Sequence, residues 1–233
     1  TQEIDGSHRA RASSRLWHFD LDDTLDEEVT KRPTKRGSPE GAVTNVMMWV
    51  LVKKICKIDP IMSNVDLNCI IELRWHAEHL KGKRIADKSK LWTPKIDVIN
   101  YDRLTLEPNE PWFYPTSGDC RQITLLSGTI NNEQDLKDFP FDTDCIKLLL
   151  ACELGTGDTR VRLHWDYTRS THEKTGDVVS HMQVTPKYVQ GQLDEWRIFP
   201  DLNSVRRIVY IPNLTGKMTG IEIRIPIERK ATF

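Results

Sequence analysis

The chain has 233 residues, with 33 Lys and Arg against 34 Asp and Glu and a formal net charge of −1. That length supports one sizeable core without requiring two, and the near-neutral balance excludes the basic footprint of a nucleic-acid or anionic-membrane binder. The longest apolar runs, Met47 to Val52 and Leu148 to Cys152, fall far short of the roughly 18 residues of a membrane-spanning helix.

Taken in chain order, residues 1–42 form a charge-rich extension broken by Pro33, Gly37, Pro39 and Gly41. Its acidic-then-basic stretch from Asp22 to Lys31 predicts one short helix, because acidic side chains favour a helix start and basic ones its end. Thr1 to Arg15 is polar and does not read as a secretory leader. From Val43 the texture changes to short β-type runs, which predict strands over Val43–Ile58, Val65–Trp75, Ile96–Tyr101, Arg121–Leu126, Cys145–Cys152, Arg160–Trp165, Trp196–Phe199, Val205–Ile211 and Ile221–Ile227. Turn clusters such as Asp59-Pro60 and Gly155-Thr156-Gly157 separate them.

The last run is the clearest, since Ile221, Ile223, Ile225 and Ile227 alternate with Glu222, Arg224, Pro226 and Glu228, the period of a half-buried strand. Many short strands without a strand-then-helix rhythm predict an all-β fold, an immunoglobulin-like antiparallel β-sandwich of about ten strands over residues 43–233. Thr168 to Leu193 is a polar stretch long enough to predict a mobile or functional loop.

Several features suggest chemistry and are weaker in context. Asp20-Leu21-Asp22-Asp23-Thr24 spells the D-x-D-x-T pattern of haloacid-dehalogenase-type phosphatases, but that chemistry needs the first Asp at the end of a buried parallel strand. Too little apolar sequence precedes it, and the rest of the chain is not α/β. An acidic helix start is the plainer reading, and no nucleophile, base and orienting group cluster into a catalytic site. The five cysteines (Cys56, Cys69, Cys120, Cys145 and Cys152) are odd in number and lack zinc spacing, which leaves at least one thiol free or paired with another molecule and leans weakly towards an intracellular setting. The sequon Asn213-Leu214-Thr215 leans towards secretion. His76 and His79 are two ligands without a third, so a surface turn is expected there and no metal or cofactor site is predicted. Trp112, Phe113 and Tyr114 either line a cavity or, as aromatics beside Pro111 more often do, pack a loop onto the sheet edge.

Phe139-Pro140-Phe141-Asp142, followed by Thr143-Asp144-Cys145-Ile146, resembles the F-P-F-D-x-Q-x-C signature of the Cys-loop receptors, the pentameric ligand-gated ion channels. Leu91-Trp92-Thr93-Pro94-Lys95-Ile96 with Asn100 is similar to the family's W-x-P-D segment, with Lys95 in place of the usual aspartate. Glu72-Leu73-Arg74-Trp75 with Glu78-His79-Leu80 resembles its second strand, Asp194-Glu195-Trp196 the start of strand nine, and Glu228-Arg229-Lys230-Ala231-Thr232-Phe233 the junction entering the first membrane helix. The resemblance spans about Arg32 to Phe233 and implies an extracellular ligand-binding domain whose pore would follow the last residue. A naturally soluble relative of the acetylcholine-binding proteins is the alternative. In that alignment the two bridged cysteines fall at Asn132 and Ile146, so the namesake disulfide is missing, and by alternation Cys145 faces the other way.

The resemblance implies a homopentamer on the extracellular face of the plasma membrane, with a small-molecule ligand, an amine or a proton, bound between subunits. Carried over residue by residue, the aromatic cage that binds amines by cation–π attraction is largely absent. Its positions fall at Ile70, Ile99, Tyr101, Glu153, Tyr210 and Lys217, with Pro212 and Asn213 where a vicinal cysteine pair would mark the tip of loop C. Glu153 either pairs with an amine or titrates at the interface, or is a solvated strand-end residue paired with a nearby base. Coupling to a pore would use the turn at Asp59-Pro60, the corner Phe139, Pro140, Phe141 and Asp142, and Arg229, with Asp142 expected beside Arg229.

Overall fold

Alternation decides which face of each strand is buried, and the long central strands carry it over most of their length, with two register shifts in β1. A computed structural model describes residues 30–33, 43–134, 143–152, 161–166, 193, 195–198, 206–213 and 216–230, the side chains of 206–219 excepted. Eleven strands lie among the described residues: β1 (Thr44–Asp59), β2 (Asn64–His76), β3 (Ile96–Val98), β4 (Tyr101–Pro108), β5 (Trp112–Tyr114), β6 (Asp119–Asn131), β7 (Thr143–Cys152), β8 (Val161–Trp165), β9 (Trp196–Ile198), β10 (Arg206–Asn213) and β11 (Gly216–Arg229). The only helical segments of three or more described residues are two 3-10 turns, Glu78–Leu80 and Lys88–Lys90. The all-β expectation therefore holds. The predicted helix at 22–31 lies outside the described residues except at its end, where Thr30 is helical. The Asp20–Thr24 motif and residues 168–192 lie outside them as well.

The strands form two sheets. One runs β4-β6-β2-β1-β8 with β5 also on β6; the other runs β10-β11-β7-β3 with β9 also on β11. The alternating residues Val46, Met48 and Val50 of β1, Leu67, Ile71 and Leu73 of β2, Ile146, Leu148 and Leu150 of β7 and Ile221, Ile223, Ile225 and Ile227 of β11 join one buried apolar cluster drawn from both sheets. Burying one such side chain contributes roughly 1.5–3 kcal/mol.

The expectation of a purely antiparallel fold is corrected by β8, which pairs parallel to β1, Thr44 opposite Val161 through Met48 opposite Trp165, so the larger sheet is mixed. A second correction concerns Ile96–Tyr101, read as one strand. β3 stops at Val98, and the turn at Ile99 and Asn100 sends the chain across to the other sheet as β4. The Asn100 side-chain amide donates to the carbonyls of Asn131 and Lys147 at 2.9 and 2.7 Å, and its Oδ1 accepts from the Leu149 N–H at 3.0 Å. One residue thus satisfies backbone groups of both sheets, which a continuous strand would not allow.

A second asparagine staples the same end. The Asn132 N–H donates to the Ser63 carbonyl at 2.7 Å, and its buried Oδ1 accepts from the Lys147 N–H at 2.8 Å. Asn132 and Ile146 are the positions at which the resemblance would place bridged cysteines, and a hydrogen bond to the residue after Ile146 closes that segment instead. None of the five cysteines is bridged, and Cys145 is half-buried while Ile146 faces the core. Replacing Asn132 with Ala orphans a strand N–H, so we expect a loss of about 1–3 kcal/mol in urea unfolding; a loss below about 0.5 kcal/mol would show that water replaces the amide.

Candidate functional site

Strand directions gather the predicted coupling segments at one end of the molecule. β1 turns into β2 through residues 59–63, where Asp59 Oδ1 accepts from the Met62 N–H at 3.0 Å and Oδ2 accepts from the Lys57 ammonium at 2.9 Å. The Met62 N–H first, then Lys57, hold the Asp59 carboxyl below its ordinary range. Pro60 follows, and the tip leaves Ile61 88% and Met62 66% exposed, an unusual position for two large apolar side chains. β6 ends beside this turn, since Asn131 pairs with Asn64 and Asn132 bonds Ser63. β7 begins at Thr143 opposite Glu228, one residue before Arg229.

Phe139, Pro140, Phe141 and Asp142 lie outside the described residues, but both flanks of their segment sit at this end. Arg229 stacks its guanidinium over the Trp196 ring at 4.4 Å and reaches Glu195 Oε2 at 3.3 Å. Two of the segments singled out in the sequence, Glu195-Trp196 and the Arg229 junction, therefore meet in space. So do two others, because Trp75 and Trp92 stack edge to face with centroids 6.0 Å apart.

The predicted ligand residues divide between the sheets. Ile70 lies mid-strand on β2, half-buried, in a row with Leu51 of β1 and Leu125 of β6. Ile99 follows β3 and donates its N–H to the Leu149 carbonyl at 2.9 Å, and Tyr101 opens β4 with 58% of its surface exposed. Tyr210 sits opposite Thr219 and Lys217 opposite Pro212 in the β10–β11 hairpin. Glu153 lies outside the described residues, immediately after Cys152. Ile70 and Tyr101 belong to the larger sheet, and the β3, β10 and β11 positions belong to the smaller one.

The opposite end of the larger sheet carries a feature that the sequence reading missed. Glu72 is only 1% exposed although it projects from the face of β2 away from the core, between Trp49 of β1 and Ile123 of β6 in register. It accepts from Arg74 Nε at 2.9 Å and from Arg121 Nη2 at 2.8 Å, and Arg74 Nη1 reaches the buried Asp166 at 3.2 Å. Beyond them His76 sets Nδ1 2.9 Å from Asp119 Oδ1 and Nε2 2.6 Å from Glu78 Oε2. Of these, Arg74, Arg121, His76 and Asp119 line a cleft of about 600 Å³ between the starts of β1 and β6 and the end of β2. The sequence signal was present, as Glu72 and Arg74 are charges at alternate positions of an otherwise apolar run. Phe113 packs into the core, while Tyr114 is exposed and lines the cleft, so both readings of that aromatic stretch apply to different residues.

Two carboxylates on one imidazole favour its doubly protonated form. Asp119 first and Glu78 second raise the His76 pKa above 6.5, against a smaller opposing effect of burial. Lys81, which lies 3.8 Å from Glu78, is the other charged neighbour. Since the folded value is the higher one, this stabilisation is full below the unfolded pKa and disappears as pH rises through the folded value. For Asp119 the pKa is lowered, with His76 the leading cause, and its contribution is present above its unfolded value and lost as pH falls through the folded one. The melting temperature should therefore fall more steeply on going from about pH 6 to about pH 9 in the wild type than in His76→Gln. Parallel profiles would show that the triad contributes nothing. Among the described residues no group of three or more His, Cys, Asp and Glu side chains is placed to hold a metal ion.

Among the described residues no helix is long and apolar enough to cross a membrane. No family model matches the sequence, and no curated protein matches it.

Proposed function

We infer that the chain is the extracellular ligand-binding domain of a pentameric ligand-gated ion channel, with its two sheets stacked as an immunoglobulin-like sandwich. The observation that carries this reading is the convergence of the 59–63 turn, both flanks of the 139–142 corner and Arg229 at one end of the sheets. A domain that drives a pore must present its transmitting elements together at the membrane-facing end, and an exposed apolar tip at Ile61 and Met62 suits contact with another domain. The edge-to-face Trp75–Trp92 pair and the Glu195-Trp196–Arg229 contact lend further support, because segments chosen by resemblance alone become neighbours in space.

Separation of Ile70 on the larger sheet from Ile99 and Tyr210 on the side of the smaller one suits a ligand cleft shared by adjacent copies, in which one chain offers the smaller sheet and the next offers β2, with Tyr101 at the crossing from β3 to β4. Ligand binding then acts by population shift. A ligand that favours the contracted interface biases the ring by no more than its differential affinity for the two states. Localisation on the extracellular face and a fivefold assembly are parts of the same proposal, and a naturally soluble pentamer would use the same cleft without a pore.

The test is a thermal-shift screen of amines, amino acids and steroids, repeated across pH, since selective binding to the folded state raises the melting temperature. A stabilising ligand should lose its effect in Tyr101→Ala and in Tyr210→Ala. An effect that survives both substitutions, or a panel in which nothing stabilises the protein, counts against the reading.

A further inference from the structure

The cleft at the far end of the larger sheet is built to present donors. Arg74 and Arg121 are register partners on adjacent strands, so their side chains leave the same face side by side. Two like charges at that spacing repel unless something holds them. Glu72 lies beneath both and Asp166 beneath Arg74, each almost fully buried, while the arginine side chains remain 37% and 29% exposed. Trp112 covers Arg121 with its ring 5.4 Å from the guanidinium carbon. The anions are thus deep and the cations shallow, and both arginine planes are fixed.

These contacts use Nε and Nη1 of Arg74 and Nη2 of Arg121. Among the described residues Nη2 of Arg74 and Nη1 of Arg121 make no hydrogen bond, and Arg121 Nε is buried without one. Beside them the cleft adds Tyr114, Thr116 and the apolar side chain of Met47. Its one lining carboxylate, Asp119, is engaged by His76. An organic cation would meet two guanidinium groups, whereas a carboxylate would meet two fixed donors without displacing an existing contact.

We propose that this cleft binds a small organic carboxylate, its anionic end on Arg74 and Arg121 and its apolar body against Met47 and the Tyr114 ring. The volume of about 600 Å³ falls within the range of small-ligand sites. The site lies within one chain and does not depend on a fivefold ring or on the ligand residues discussed above.

Calorimetric titration of the whole chain with benzoate, benzamide and benzylamine separates the alternatives, because the three have similar shapes and different charge. Benzoate should bind at least tenfold more tightly than either analogue. Arg121→Lys should weaken benzoate at least tenfold, since an ammonium keeps the charge and loses the planar donor edge. Should that variant fail to fold, Thr116→Trp, at an exposed turn of the cleft lining, should fill the cleft and abolish binding. Benzamide binding as tightly as benzoate, benzylamine binding in its place, no benzoate binding, or undiminished binding in Thr116→Trp would each overturn the proposal.

Discussion

Replacing Glu72 with Ala should lower the unfolding free energy by about 3 kcal/mol, the low end of the range for removing one partner of a buried ion pair. The low end applies because the two guanidinium groups left behind still reach water and can be partly resolvated. The penalty arises from the arginines, which would otherwise stand side by side over a pocket flanked by Trp49 and Ile123 with no charge between them. Glu72→Gln keeps an acceptor and should cost about half as much. Exchanging Glu72→Leu with Arg121→Met, while Arg74 stays on Asp166, should recover much of the loss, since neither arginine is then left without a carboxylate. Urea unfolding at fixed pH and salt reads all three. A Glu72→Ala variant within about 0.5 kcal/mol of wild type would mean that the carboxylate contributes no net stability.

An effect of similar size is expected at Gly128, for a reason of shape. Its φ of +149° lies in a region that side chains rarely adopt, and a Cβ there would stand 2.2 Å from the Arg103 carbonyl oxygen and 2.9 Å from the Leu104 Cα. Both obstacles are backbone of β4, which pairs with β6 at this point, so no rotamer change relieves the clash. Gly128→Ala should therefore cost about 3 kcal/mol or more, through backbone strain together with overpacking. The loss should come with separation of β4 from β6, visible as faster amide exchange across residues 101–108 than across β2. Unchanged exchange and stability would mean that β4 is not held as closely as the register implies.

The sequence disclosed most where one strand buries one face. In β11 the isoleucines at 221, 223, 225 and 227 are all buried while Glu222, Arg224, Pro226 and Glu228 are not, and β1, β2 and β7 read almost as plainly. β4 escaped because it is an edge strand with polar residues on both faces and almost no alternation, and β5 because three residues carry no period. The parallel β1–β8 pair joins residues more than one hundred positions apart, and nothing local encodes that register. Asn100 looked like part of a motif and proved to be a crossing point between sheets. The Glu72, Arg74 and Arg121 cluster required Arg121, 49 positions from Glu72, to be brought beside it. Of the ligand residues carried over by resemblance, the structure fixes the strands of Ile70, Tyr101, Tyr210 and Lys217. The proposed cleft between copies would not be legible in one chain's periodicity, because its two halves would belong to different molecules.

That shared cleft is what the receptor reading stands on, and the oligomeric state of the chain tests it most directly. Light scattering combined with electron microscopy over a wide concentration range should find a ring of fivefold symmetry at five times the 27.0 kDa chain mass, stabilised by ligand. A monomer at every concentration up to the solubility limit, or a closed ring of another order, would contradict it.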